Sequence, residues 1–324
     1  MIDPALQQKL SEILSAANIK PEDVGDRSFV VSQEVIDAVL KQIDAQLPVI
    51  ELSAGIGSVT SALAARGNTI YAFEPNESLA KVLEQQEAGQ ATVHVARQGN
   101  DKELRGQIRE IALRLAPPVS AEAIKPVKAV PRYAVVASAP FEDAYQMLQP
   151  VLDQHFRPEI IVFVVPQSHA KSLEPHARDF TALSYLVDYF GKPEIIRLLA
   201  ADDFLPPTRE PSSLIVVRTL HMSRFTVGNR PLLFKMIEAG LKRQRTLPDS
   251  MSLLLHIPSS DIRMILRNCS MNPSRRANTL RLDDWRKFYQ EYEVYRTTEG
   301  YIDQFETKPY DPWLEDEKKP TKAR

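Results

Sequence analysis

The sequence predicts an α/β fold: a Rossmann-like, doubly wound, largely parallel sheet followed by a smaller C-terminal all-α domain. Three observations carry this expectation. The apolar run Val49-Ile50-Glu51-Leu52 enters the small-residue turn Ser53-Ala54-Gly55-Ile56-Gly57. An alanine-rich helical stretch and a second apolar run closing on Glu74 then follow. That order is the first βαβ unit of a nucleoside-binding sheet. Strand and helix patterns go on alternating as far as Arg218, which implies parallel pairing. After Leu220 only helical spacing continues.

The elements follow in order. Two helices are expected within residues 1–45: Leu6, Leu10, Ile13 and Leu14 fall at helical spacing, and Val35, Ile36, Val39 and Leu40 give one apolar face to a helix over residues 33–43. Strands are expected at residues 49–52, 69–73, 92–96, 133–137, 160–165 and 214–218, with a helix over 58–66. An insertion at about residues 99–132 holds a charged helix, 102–115, and a connector with Pro117, Pro118, Pro126 and Pro131. Helical patterns broken by Pro231, Pro248, Pro258 and Pro273 run on to about Tyr295. The expected division is therefore 1–220, 221–300 and a mobile tail, 301–324, where Pro309, Pro312 and Pro320 stand among mixed charges with little to bury.

A chain of 324 residues suffices for two cores. The formal net charge of -2 conceals a basic segment, because from Arg224 to Lys287 the bases outnumber the acids thirteen to five. A polyanion such as RNA would suit that segment, and a solvated helical face is the alternative. The single cysteine, Cys269, excludes an internal disulfide framework and a cysteine-rich zinc site. No apolar run is long enough for a membrane span, and Asp3 and Glu12 stand where a targeting peptide carries bases, so a cytoplasmic protein is expected.

Two corners carry the candidate chemistry. Gly55 and Gly57 allow the backbone to approach a ligand, and Glu74 is placed to grip two ribose hydroxyls, which points to an adenosine cofactor. A bare structural turn is the alternative. The fourth strand delivers Ser138-Ala139-Pro140-Phe141 to the same carboxyl edge. Its hydroxyl, carbonyl and ring are what methylation of an exocyclic amine requires, namely acceptors for the NH₂ group and a face on which a base can stack. Here too a plain turn is the alternative.

The order of these and further motifs resembles the ribosomal RNA adenine dimethyltransferase family, the KsgA type, over most of the chain. Asp26-Arg27-Ser28-Phe29-Val30 is similar to its Gly-Gln-Asn-Phe-Leu, Glu51 to Gly57 to its Glu-x-Gly-x-Gly, and Ser138 to Phe141 to its Asn-Leu-Pro-Tyr. Phe204-Leu205-Pro206-Pro207 with Val216-Val217-Arg218 is similar to its Pro-rich hairpin. Arg243-Gln244-Arg245-Thr246-Leu247 resembles its Arg-Arg-Lys-Thr-Leu, and Met271-Asn272-Pro273-Ser274-Arg275-Arg276-Ala277 its Asp-Pro-x-x-Arg-Ala segment.

The resemblance implies a class I methyltransferase fold, S-adenosylmethionine as cofactor, and adenine N6 of small-subunit ribosomal RNA as target. The cofactor would lie against Arg27, Phe29, Glu51, Ser53, Gly55, Gly57, Glu74, Gln98 and Asn100, and the adenine against Ser138, Ala139, Pro140 and Phe141. Arg243, Arg245, Arg275 and Arg276 would contact RNA. The expected partner is small-subunit ribosomal RNA or a ribosomal particle, with no metal, no membrane and a monomeric chain.

The departures gather at the pockets. Arg27 replaces a glutamine near the methionine end, Ser53 replaces the first glycine, and Gln98 or Asn100 must serve where the family has an aspartate that accepts from the adenine amine. Ser138 replaces an asparagine. A degenerate member that binds RNA or a ribosomal particle without methyl transfer is therefore the alternative function, and a methyltransferase acting on a small molecule is a third.

Overall fold

The computed structural model describes residues 4–16, 19, 27–116, 131–140, 143–174, 176–220, 222–242 and 245–298. The expectations for the connector at 117–130, for the tail at 301–324, for Phe141 and for Arg243 lie outside the described residues.

Helix α1 (Pro4–Ala16), strand β1 (Phe29–Val30) and helix α2 (Gln33–Leu40) lead into the sheet, with Val35, Ile36 and Val39 buried on α2. Strands β2 (Val49–Leu52), β3 (Ile70–Glu74), β4 (Val93–Arg97), β5 (Ala134–Pro140) and β6 (Ile160–Pro166) alternate with helices α3 (Ser58–Ala65), α4 (Glu77–Gln86), α5 (Asp101–Leu115) and α6 (Ala144–Leu152). A short helix α7 (Gln167–Ala170) follows, and then β7 (Gly191–Leu199), β8 (Phe204–Leu205) and β9 (Ser212–Thr219). Seven of these strands form one sheet in the order β4-β3-β2-β5-β6-β9-β7. Pairing is parallel from β4 through β6, while β9 runs antiparallel to both β6 and β7. The central strands are largely apolar, as expected of strands covered on both faces: β2 and β6 are buried at every residue, Glu51 of β2 included.

Chain order reverses between β2 and β5, which pair side by side from Val49↔Ala134 to Glu51↔Val136. Such a switch point opens a crevice at the carboxyl ends of the strands, where open α/β sheets bind ligands.

Two features were absent from the sequence pattern. Strand β7 pairs along an edge, and Lys192, Pro193, Glu194 and Arg197 interrupt its apolar residues; its ladder with β9 is also irregular between Ile195 and Arg197. The two-residue strands β1 and β8 form a separate antiparallel ribbon, Phe29↔Leu205 and Val30↔Phe204.

The chain divides into two compact units, residues 1–175 with 191–221, and residues 176–190 with 222–324. This corrects the expected boundary at 220/221 for one segment, since α8 (Ala182–Phe190) groups with the helical unit. The reason is visible in its contacts. The Tyr185 hydroxyl donates toward the carbonyls of Leu280 at 2.6 Å and Ala277 at 3.1 Å, and the Tyr189 ring meets Phe225 and Phe234 edge-on. The same unit holds α9 (Arg230–Leu241), α10 (Leu247–Leu255), α11 (Ser259–Asn268) and α12 (Leu282–Thr298). Trp285 on α12 is buried against Gly240 of α9, where an added Cβ would fall 2.6 Å from the indole, so the helices approach at a glycine. Among the described residues no helix is long and apolar enough to cross a membrane.

Candidate functional site

The corner after β2 is left-handed three times, with φ of +50° at Ser53, +64° at Gly55 and +87° at Gly57, which caps α3. An L-residue in this region costs roughly 1–2 kcal/mol, so Ser53 sits on the strained side of the substitution. Its amide gains a partner there, donating to Gln98 Oε1 at 3.0 Å, and its hydroxyl lies 3.5 Å from the same oxygen. The two glycines are required by the protein's own packing. A Cβ on Gly55 would fall 2.8 Å from the Phe29 ring, and one on Gly57 would fall 2.5 Å from Leu83.

Glu74, at the end of β3, is fully buried. Its Oε2 accepts the Gly55 amide at 2.8 Å, and its Oε1 accepts the Asn76 amide at 2.7 Å. The guanidinium of Arg27 donates to Oε1 as well, in an ion pair whose arginine side chain is 27% exposed. This corrects the expected place of Arg27: its Nη1 bonds the carboxylate expected to hold ribose. Nothing local predicts that pairing, because the partners are separated by several elements of chain.

Asn100 is likewise corrected. Its side chain accepts from the amides of Lys102 and Glu103, both at 3.1 Å, while Glu103 returns a bond to the Asn100 amide at 3.0 Å. That capping box starts α5 and leaves Gln98 as the polar side chain that β4 sends to the corner.

Glu51 is buried within β2, with Oε2 accepting the Thr60 hydroxyl at 2.6 Å and Oε1 without a partner. Burial raises its pKa to about 8, and Glu87 and Glu74 push in the same direction against the Thr60 bond. At pH 7 the group is mainly an uncharged carboxyl.

The second corner lies on the neighbouring strand. The β5–β6 ladder is regular through Ala137↔Phe163, then shifts before Pro140↔Val164, which releases Ser138 and Ala139 from the ladder. Both then line one small space together with Ser28, Phe29, Ser53 and Ala54. The two predicted corners therefore do open on the same carboxyl edge. Pro140 ends β5, and Phe141 lies outside the described residues.

That space measures about 10 Å³, room for about one water, whereas pockets for ligands of cofactor size run to roughly 300–1,000 Å³. The donor types suit a nucleoside: a buried carboxylate at the end of β3, a left-handed small-residue corner, and a buried hydroxyl on the adjoining strand. In this structure the first two are satisfied by other residues of the chain, Glu74 by Arg27 and the Ser53 amide by Gln98.

The helical unit holds a separate cavity of about 1010 Å³ with Phe180, Lys242, Arg245, Arg263, Arg275 and Arg276 in its wall. Its cations differ in kind. Arg275 is held down, its Nε by the Thr279 hydroxyl at 3.1 Å and one amino group by Asp284 at 3.3 Å, with a further bond to the Thr279 carbonyl. Arg263 pairs with Asp249 at 4.0 Å. Lys242, Arg245 and Arg276 are exposed, and their side chains form no hydrogen bond or ion pair among the described residues, although the charge of Arg245 helps to lower the pKa of Asp249. Arg245 and Arg276 were expected from sequence; Lys242 was not singled out.

The sequence and the fold both have counterparts among known proteins. The family model described as ribosomal RNA adenine dimethylase matches residues 22–293. The ribosomal RNA small subunit methyltransferase A of Dehalococcoides mccartyi (strain CBDB1) is 24% identical over 292 residues, 89% of this chain and 94% of that one. The protein of the same name from Halothermothrix orenii is 25% identical over 278 residues, 83% and 87% of the two chains. Among solved structures, a dimethyladenosine transferase from Plasmodium falciparum shares the fold with a TM-score of 0.59 at 14% identity, covering 82% of this chain and 98% of that one. The 23S rRNA methyltransferase ErmE does so with a TM-score of 0.53 at 16% identity, covering 82% and 99%.

Proposed function

Because the chain belongs to the ribosomal RNA adenine dimethylase family, we propose that it methylates adenine N6 in small-subunit ribosomal RNA, with S-adenosylmethionine as the methyl donor. The supporting observation is the convergence of two corners, Ser53 to Gly57 and Ser138 to Ala139, on one carboxyl edge at the β2/β5 switch point. When bound, the cofactor supplies an electrophilic methyl group. Glu74 would hold its ribose hydroxyls, the Ser53 to Gly57 corner with Glu51 its amino-acid part, and Gln98 its adenine amine.

The chain's own contribution is positional. Ser138 Oγ and the Ala139 carbonyl accept from the two N6 hydrogens of the target base, which fixes the plane of the amine and turns its lone pair toward the methyl donor. A serine does this less rigidly than a side-chain amide, since its single oxygen rotates about χ1. In the helical unit, Arg245 and Arg276 present exposed guanidinium groups to RNA phosphates, with Arg243 and Arg275 beside them in sequence. A substrate of this kind places the protein with ribosomes, in the cytoplasm.

The test is incubation of the full chain with undermethylated small subunits and radiolabelled S-adenosylmethionine. Labelled methyladenosine in the small-subunit RNA is the expected product, and none at saturating cofactor overturns the reading. A second reading, binding of the RNA or particle without methyl transfer, is favoured by two features: Glu74 is already paired with Arg27, and the space that the two corners share is about 10 Å³. It predicts retained RNA binding with no incorporation.

A further inference from the structure

The nucleoside site contains a cation that the chain itself supplies. Glu74 has three donors in this structure, the Gly55 amide, the Asn76 amide and the Arg27 guanidinium. The two amides belong to the corner and to the start of α4, so they are fixed by the fold. Arg27 is different. It precedes β1 on a segment outside the sheet, its side chain keeps 27% exposure, and it reaches the carboxylate only through its long stem. Phe29, two residues on, packs its ring over Gly55 and anchors that segment above the corner.

We propose that Arg27 is an internal competitor for the nucleoside site, occupying the carboxylate of Glu74 that a ribose would need. The inference rests on the reading that Glu74 faces a nucleoside. With three donors already on Glu74, about one of the carboxylate's roughly four acceptor sites is left, too few for both hydroxyls of a diol, so the arginine must leave before two hydroxyls can be held. Apparent affinity is then lowered by the fraction of molecules in which the pair is broken, so a tenfold preference for the paired state weakens binding about tenfold. Gln98 is also engaged, since one of the two lone pairs of its Oε1 already accepts from the Ser53 amide.

Competition for Glu74 differs from simple repulsion of a positively charged ligand, and the difference is measurable. Titration calorimetry on the full chain and on Arg27→Gln, with S-adenosylmethionine and with S-adenosylhomocysteine, provides the test. S-adenosylhomocysteine has the same ribose and no sulfonium charge. The expected result is that Arg27→Gln binds both ligands about tenfold more tightly, by a similar factor. Arg27→Lys, which keeps the charge, should stay near the unmodified chain, and melting curves establish that each variant is folded. Equal affinity of the unmodified chain and Arg27→Gln for both ligands overturns the competition while leaving the nucleoside site standing. A gain confined to S-adenosylmethionine assigns Arg27 to charge repulsion and overturns it as well. If neither ligand binds any folded variant at millimolar concentration, the nucleoside reading fails and the inference with it.

Discussion

Gln98 Oε1 accepts the amide proton of Ser53 at 3.0 Å, which ties the end of β4 to a residue held at φ +50°. The bond compensates a strained residue within the corner that carries the candidate site. Ser53→Gly should remove the left-handed cost of roughly 1–2 kcal/mol and return about 0.5–1 kcal/mol of it as glycine entropy, a net stabilisation of several tenths of a kcal/mol. Urea unfolding of the variant checks this; a loss of stability would show that the serine hydroxyl matters more than the backbone. Gln98→Ala should cost about 1 kcal/mol by the same measurement, since it leaves the Ser53 amide without its acceptor.

Glu51 sets a pH dependence. Its folded pKa, raised from 4.5 to about 8 by burial, means that the native state binds more protons than the unfolded chain between those values. Stability from this group is therefore full below about pH 4.5 and is lost as pH rises toward 8, by at most about 5 kcal/mol. Glu51→Gln keeps the shape and removes the titration, so its stability should fall less between pH 5 and about pH 8 than that of the unmodified chain. Parallel stability curves for the two proteins would contradict the assignment.

Glu74→Ala should abolish nucleoside binding, and the structure adds that it should not be silent for folding. Removal of the carboxylate strands the amides of Gly55 and Asn76 and unpairs Arg27, a cost of roughly 2–4 kcal/mol. Glu74→Gln retains one acceptor oxygen and should lose binding with a smaller stability deficit. Calorimetry and denaturant unfolding, run on both variants, separate the two effects.

The four arginines expected to hold RNA should divide. Arg245→Ala with Arg276→Ala removes two exposed guanidinium groups that form no hydrogen bond or ion pair among the described residues, so RNA affinity should drop and its log–log salt slope shrink by about 2 with little change in melting temperature. Arg275→Ala breaks bonds to Thr279 and Asp284 and should instead destabilise the helical unit. A melting temperature unchanged by Arg275→Ala, with a reduced salt slope, would move it to the interface.

The sequence by itself determined the sheet, the corners and their order. The cores of β2, β3, β5 and β6 were legible because strands covered on both faces must be apolar at successive residues, and Gly55 and Gly57 were legible because a left-handed corner restricts residue type. The edge strand β7 was not, since half its residues face solvent and its charges break the pattern. Helix α8 carries helix-compatible residues, yet its membership in the second unit depends on where Ala277 and Leu280 present their carbonyls to Tyr185. Only the tertiary structure decided which side chains occupy the site. Periodicity and turn chemistry are local and leave their mark on neighbouring residues, whereas the pairing of Glu74 with Arg27 and of the Ser53 amide with Gln98 joins distant segments whose meeting is fixed by packing alone.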